Sequence, residues 1–72
     1  MALKFDLTTL SIALKIWRNM HGFTIADMAD LAGMAKSSYG FVEQGERVPT
    51  MAEFANLCEI IGFQPERLFH NV

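Results

Sequence analysis

The sequence predicts an all-α domain of five short helices joined by short connections. Apolar residues recur at spacings of three and four along most of the chain, which is the period of a helix with one buried face. Glycines follow four of these segments, and two segments begin with a threonine that precedes a carboxylate by three residues. No clear strand pattern is found.

The first helix is predicted between residues 7 and 20. Its apolar stripe consists of Leu10, Ala13, Leu14, Trp17 and Met20. We expect Thr8 or Thr9 to cap its start, and Gly22 follows its end.

The second and third helices are short. Thr24 is the expected cap of a helix that contains Asp27 in its first turn and ends at Gly33. A third helix is predicted from about Ala35 to Glu43, with Gly45 as its left-handed terminator. Gly40 lies inside this helix, at a cost of about 1 kcal/mol relative to alanine.

The fourth helix has the clearest start, because Thr50 and Glu53 form a capping box. It is predicted to end before Gly62, and its stripe is Met51, Phe54, Leu57, Cys58 and Ile61. A fifth helix is expected to begin at Gln64-Pro65-Glu66, with Leu68 and Phe69 pointing inward or into a partner.

Composition narrows the possible functions. A chain of 72 residues predicts one domain, spanning 1–72, near the lower size limit for independent folding, so support from a second subunit is expected. The single Cys58 excludes an internal disulfide, and the apolar runs are too short to cross a membrane. No signal peptide opens the chain, which predicts a cytoplasmic protein. The net charge of −2 argues against non-specific binding of polyanions.

Catalytic and metal-binding patterns are missing from the sequence. His21 and His70 have no carboxylate or cysteine at ligand spacing, and no nucleophile with its base or glycine-rich phosphate loop is found. We therefore expect no enzyme activity, no metal and no cofactor. Cys58 and the helical methionines are expected in the core, where Met20, Met28, Met34 and Met51 would adapt to irregular gaps.

Two short helices on either side of the Gly33 turn have the order of a helix-turn-helix motif, here at about residues 24–45. Residues 18–69 resemble the phage repressor and Cro family, whose fold is a five-helix lambda-repressor-like domain. The resemblance is carried by Arg18, His21-Gly22-Phe23-Thr24, Met28-Ala29, Leu31-Ala32-Gly33-Met34, Ser37-Ser38-Tyr39, Val42-Glu43-Gln44-Gly45, Arg47-Val48-Pro49-Thr50 and the segment 57–63.

The resemblance implies a core and a structural ion pair. The implied core residues are Phe23, Met28, Ala32, Met34, Tyr39, Val42, Met51, Phe54, Leu57, Ile61, Phe63 and Leu68. Arg18 and Glu43 are implied to pair with each other, although an arginine could also bind phosphate and a glutamate could contact cytosine. Ala29 and Gly33 are expected to be small so that the second and third helices approach closely.

The resemblance also implies a DNA-binding surface. Its groove-facing positions fall on Lys36, Ser37 and Phe41, with Ser38 and Gly40 nearby, and its phosphate contacts fall on Thr24, Gln44 and Arg47. Phe41 could contact thymine methyl groups or a partner protein. Two positions depart from the family: Ile25 replaces a phosphate-binding glutamine, and Ala35 replaces a capping serine or threonine.

These features predict a transcriptional regulator, specifically a repressor, that binds a double-stranded operator as a homodimer with half-sites about 34 Å apart. The dimer surface is expected at Leu68, Phe69 and Val72, with the first or fourth helix. Two to four neutralised phosphates per subunit predict a log-log salt slope of about −4 to −7 for the dimer. Ile25, Phe41 and the acidic balance leave open a protein partner instead, either a larger repressor or a toxin.

Overall fold

The computed structural model describes residues 3–64, 66 and 69–71, without the side chains of 3, 4 and 69–71. Within these residues the chain forms four helices and two short strands. The order is β1 (Leu3–Phe5), α1 (Leu7–Met20), α2 (Ile25–Ala32), α3 (Lys36–Glu43), α4 (Met51–Ile61) and β2 (Phe69–Asn71). None of these helices has the length and apolarity required to cross a lipid bilayer.

Helix α1 begins one residue after Asp6, which is its cap. The Asp6 carboxylate accepts hydrogen bonds from the backbone N and the hydroxyl of Thr9, at 2.9 and 2.6 Å. The prediction of Thr8 or Thr9 as the cap was therefore wrong, because a carboxylate three residues earlier already satisfies the first-turn donor. Leu10 and Leu14 are fully buried, as expected.

The other face of α1 is apolar but exposed. Ile12 and Ile16 are 53% and 54% exposed, and Met20 is 77% exposed, so Met20 does not belong to the core. These three residues follow one another at single-turn spacing and form a stripe on the side of α1 that faces away from Leu10 and Leu14.

Helices α2 and α3 are joined by the short turn 33–35. Thr24 and Asp27 form a reciprocal capping box at the start of α2, whereas Ala35 at the start of α3 makes no side-chain cap. Gly33 has φ +67°, in the left-handed region that favours glycine. A Cβ added to Gly33 would meet nothing within 4 Å, so the expected close approach of the two helices at this glycine was wrong. The left-handed backbone conformation explains why a glycine occupies this position.

Helix α4 begins with the predicted Thr50–Glu53 capping box and ends at Gly62. Leu57, Cys58 and Phe54 are buried against the other helices. Met51 is 77% exposed, so its assignment to the core was wrong. Met51 is the first residue of α4, and its side chain lies at the edge of the fold, outside the contacts between the helices.

The core lies between all four helices. It consists of Leu10, Leu14, Met28, Ala29, Ala32, Met34, Tyr39, Val42, Phe54, Leu57 and Cys58, with Phe23, Ile61 and Phe63 among the half-buried residues around it. Most of the implied core is therefore confirmed. Leu68 lies outside the described residues.

The predicted fifth helix was wrong. Residues 69–71 form β2, which pairs antiparallel with β1, so that Phe5 lies opposite Phe69 and Leu3 lies opposite Asn71. The start expected at 64–66 includes residue 65, which lies outside the described residues, as do 67 and 68. The strand pairing joins the two ends of the chain, and a local helical pattern contains no information about such a distant partner.

Candidate nucleic-acid interface

One side of α3 is held in the core by a charged network. The guanidinium of Arg18 on α1 donates to both carboxylate oxygens of Glu43, with Nη2 to Oε1 at 2.7 Å and Nε to Oε2 at 2.9 Å. The Tyr39 hydroxyl donates to the same carboxylate at 2.6 Å, and Arg18 Nη1 donates to the carbonyl of Phe23 at 3.0 Å. The network therefore joins α1, the segment before α2 and α3, and it contains the ion pair that the resemblance implied.

The contacts within the network shift the ionisation of its members. Burial alone would raise the pKa of the Glu43 carboxyl, but the hydrogen bonds from Arg18 and Tyr39 lower the pKa below its ordinary value. The Glu43 hydrogen bond raises the pKa of Arg18, and burial together with Glu43 raises the pKa of Tyr39 far above its usual range. All three residues keep their usual charges near neutral pH, so the orientation of α3 does not depend on titration there.

Sequence reasoning assigned Tyr39 to the core and missed its polar role. The spacing of Tyr39 and Glu43 contained the signal, because residues four apart on a helix are neighbours on its surface. With Arg18 and Tyr39 both bonded to Glu43, Arg18 is committed to the interior of the protein and is not available to bind phosphate.

The opposite side of α3 is open. Lys36, Ser37, Phe41 and Gln44 are exposed, and together with Gly40 they line a shallow groove along the helix. The structure thus brings four of the predicted contact residues onto one face. Ser38 is half-buried and does not line this groove.

Thr24 lies at the start of α2 with its hydroxyl already in use as an acceptor. The backbone N of Asp27 donates to Thr24 Oγ1 at 3.1 Å, and the backbone N of Thr24 donates to the Asp27 carboxylate at 2.9 Å. The hydroxyl hydrogen of Thr24 can still be donated to a phosphate, but the negative charge of Asp27 lies beside it. The anion site expected at this helix end is therefore weaker than the sequence suggested.

Arg47 lies in the loop after α3, where its guanidinium is 3.8 Å from the Glu53 carboxylate. The same carboxylate accepts a hydrogen bond from the backbone N of Thr50, so it is held in place by the α4 capping box. The Arg47 side chain is 39% exposed, and an ion pair at 3.8 Å near the surface is weak. The guanidinium can therefore leave the Glu53 carboxylate and bind a phosphate instead.

A second groove lies between α2 and α4, but its charge is unsuitable for DNA. It is lined by Asp30 and Glu59 together with Leu31, Asn56 and Ile60, among others. Two carboxylates would repel a phosphate backbone, so α3 provides the more suitable surface.

The described residues contain no group of three potential metal ligands among His, Cys, Asp and Glu. His21 is exposed, with its ring stacked on Trp17 at 3.8 Å between centroids, and Cys58 is buried, which raises the pKa of its thiol.

Comparison with known proteins agrees with this fold. A family model described as a helix-turn-helix domain matches residues 9–70. The crystal structure of the restriction-modification controller protein C.AhdI from Aeromonas hydrophila is similar to the chain, with a TM-score of 0.71 and 27% sequence identity. The similarity covers 88% of this chain and 96% of the controller protein. No curated protein matches the chain.

Proposed function

The chain belongs to the helix-turn-helix domain family, a family of DNA-binding transcription regulators, and from this premise we propose that it is a repressor that inserts α3 into the DNA major groove. One observation carries the proposal: α3 presents Lys36, Ser37, Phe41 and Gln44 along one exposed groove, while the buried Glu43 of the same helix is bonded to Arg18. A rigid, outward-facing helix is what base contacts require. The similarity to a restriction-modification controller protein supports a regulatory role.

The residues have distinct roles in this proposal. Lys36 donates to guanine O6 and N7 or to a nearby phosphate, Ser37 bonds a base edge, and Phe41 contacts thymine methyl groups. Thr24, Gln44 and Arg47 bind the DNA backbone and fix the orientation of α3, with Ser38 beside them.

A homodimer completes the proposal, because one copy of α3 covers only a half-site. Phe69 contributes its backbone to β2, and Leu68 and Val72 lie outside the described residues. Among the described side chains, the exposed apolar stripe Ile12, Ile16 and Met20 on α1 is available for this contact, in line with the expected contribution of the first helix.

Lys36→Ala tests the proposal, with Lys15→Ala as its control. Both lysines are exposed and both changes remove one positive charge, but Lys15 is on α1. We expect Lys36→Ala to weaken binding to promoter fragments from the chain's own genetic neighbourhood by about tenfold or more and to reduce the log-log salt slope of the dimer by about 2. The measurement is a fluorescence anisotropy titration at several salt concentrations.

The Lys15→Ala control is expected to bind within about twofold of the original protein. Equal losses in both variants would show that overall charge, rather than α3, determines binding. No salt-sensitive binding to any fragment would contradict the function itself.

A protein partner is the second candidate function, favoured by the sparse positive charge. The described cationic side chains are Lys15, Arg18, Lys36 and Arg47. Arg18 and Arg47 are paired with carboxylates, and Phe41 is 47% exposed on α3. A chain that copurifies with a larger repressor or a toxin and binds no DNA would support this function instead.

A further inference from the structure

An exposed leucine interrupts the polar surface of α2. The side chain of Leu31 is 55% exposed, whereas Met28, Ala29 and Ala32 of the same helix are buried. Leu31 lines both the groove between α2 and α4 and a second, smaller groove on the other side of α2. We call the residues around these two grooves the Leu31 surface, which consists of Leu31, Phe23, Asp27, Asp30, Glu59 and Ile60.

The ionisable side chains of the Leu31 surface are all carboxylates. Asp27, Asp30 and Glu59 are exposed, and the described residues that line the two grooves include no lysine or arginine. A surface of one charge repels nucleic acid and attracts a partner that carries positive charge.

Two of these carboxylates lie where a helix disfavours them. Asp30 is in the last turn of α2 and Glu59 is in the last turn of α4, and neither turn contains a basic residue. The carboxyl end of a helix carries partial negative charge, so a carboxylate there lowers stability and a cation raises it. Neither carboxylate forms an ion pair or hydrogen bond with another described residue. The fold therefore does not account for these two charges.

Apolar side chains lie at the centre of the same surface. Phe23 lines one groove and Ile60 lines the other, and both are half-buried against the core. The Asn56 side-chain amide donates to the carbonyl of Ala32 at 3.4 Å, which joins α4 to the end of α2 and holds the two walls of the larger groove together. An apolar centre within a polar rim is typical of protein–protein contacts.

A second copy of this chain does not supply the complementary charge. The groove on α3 is lined by a single lysine, Lys36, and the described lining of the apolar groove beside α1 contains no cation. Arg18 and Arg47 are already paired with carboxylates. The charge of the Leu31 surface therefore favours a different protein.

We propose that the Leu31 surface binds a segment of a partner protein in which apolar side chains are flanked by lysine or arginine. The apolar side chains enter the grooves on either side of Leu31, and the cations pair with Asp30 and Glu59. The inference goes beyond the proposed function and does not depend on it, because the Leu31 surface shares no residue with the exposed groove of α3.

The first test uses the full chain and linear peptides selected on it from a randomised display library. We expect the selected peptides to be enriched in lysine and arginine beside apolar residues, and their affinity in calorimetric titrations to fall as salt is added. Leu31→Ala should weaken binding by about fivefold or more, because it truncates the central apolar contact. Failure to select any peptide, peptides without this enrichment, or equal affinity for Leu31→Ala would overturn the inference.

The second test reverses the charges by combining Asp30→Lys with Glu59→Lys. The selected peptide should no longer bind, whereas a peptide with glutamate in place of its lysines and arginines should bind this variant and not the original protein. Cations suit the last turn of a helix, so the variant should melt at or above the temperature of the original protein. Unchanged binding of the selected peptide to this folded variant would overturn the inference.

Met51→Ala and Glu46→Gln are the matched controls. Met51 is 77% exposed at the start of α4 and Glu46 is exposed in the loop after α3, and neither belongs to the Leu31 surface. Both variants should bind the selected peptide within about twofold of the original protein. Sedimentation equilibrium of Leu31→Ala should give the mass of the original protein, and a lower mass would overturn the partner by showing that a second copy covers Leu31. Loss of DNA binding in the original protein would contradict the proposed function alone.

Discussion

Glu43 shows how one buried carboxylate can fix the position of a helix whose other residues are exposed. Its side chain is 4% exposed and accepts hydrogen bonds from Arg18 and Tyr39. The charge of the carboxylate is therefore stabilised by these protein groups in place of water. Removing one partner of such a pair leaves the other uncompensated, which typically costs 3 to 5 kcal/mol. The sequence indicated the pair through a resemblance, and the structure added the Tyr39 hydroxyl.

Glu43→Gln is expected to lower the free energy of unfolding at pH 7 by about 3 kcal/mol. The pKa of Glu43 is lowered in the folded protein, so the unfolded chain takes up the proton first as the pH falls below the ordinary value of 4.5. The original protein therefore loses this contribution to stability progressively as the pH falls below about 4.5, whereas Glu43→Gln lacks it at every pH. Urea unfolding at pH 7 and pH 4 measures both effects.

Glu59→Gln provides the control, since Glu59 is an exposed carboxylate on α4. Its urea midpoint at pH 7 should stay close to that of the original protein. A midpoint for Glu43→Gln that equals the Glu59→Gln value would show that the network does not stabilise the fold.

At the scale of elements, the helix ends were predicted best where the signal is local. The cap at Thr24, the capping box at Thr50 and the stop at Gly62 need only residues within one turn, and the structure contains all three. The bounds of α1 were predicted correctly, but its cap is Asp6, which lies just before the apolar stripe, and not Thr8 or Thr9. Competing caps one turn apart differ little in free energy, so the pattern alone does not choose between them.

Helix α3 has a start that can be improved. Ala35 has the extended backbone of a cap residue, with φ −65° and ψ 146°, but no side-chain acceptor. Ala35→Ser is expected to stabilise the protein by about 1 kcal/mol, because the serine hydroxyl can accept an unpaired N–H of the first turn. Thermal unfolding should show a rise in melting temperature of about 4 to 8 °C.

Thr50→Ala is the reciprocal control for α4. It removes an existing cap and should lower stability by a similar amount. A serine at position 35 that leaves the melting temperature unchanged, while Thr50→Ala lowers it, would show that the start of α3 is not limited by its missing cap.

At the scale of the whole molecule, α1 carries more exposed large apolar side chains than any other described helix. Ile12, Ile16 and Met20 lie on one face, next to a groove that includes Trp17 and Phe63. Small domains bury a limited fraction of their surface, so a second copy that covers this face would stabilise the fold. The same dimer would also contain a second copy of α3.

Ile16→Glu is expected to convert the proposed dimer into a monomer, because a carboxylate would be buried in the contact. Sedimentation equilibrium measures the mass, and the operator affinity should fall together with dimerisation. Leu31→Glu, on an exposed apolar residue of α2, is the control and should leave the mass unchanged. A dimer that persists in Ile16→Glu would place the contact elsewhere.

The sequence by itself determined four of the helices and the threonine caps of two of them, and its resemblance to a known family implied most of the core and the residues on the exposed face of α3. These features depend on residues a few positions apart, where periodicity and capping are decisive. Only the tertiary structure decided the pairing of Phe5 with Phe69, the exposure of Met20 and Met51, and the charges beside Thr24 and Arg47. Each of these features depends on which other part of the chain a residue contacts. A periodic pattern shows which residues share a face of a helix, but it does not show what covers that face.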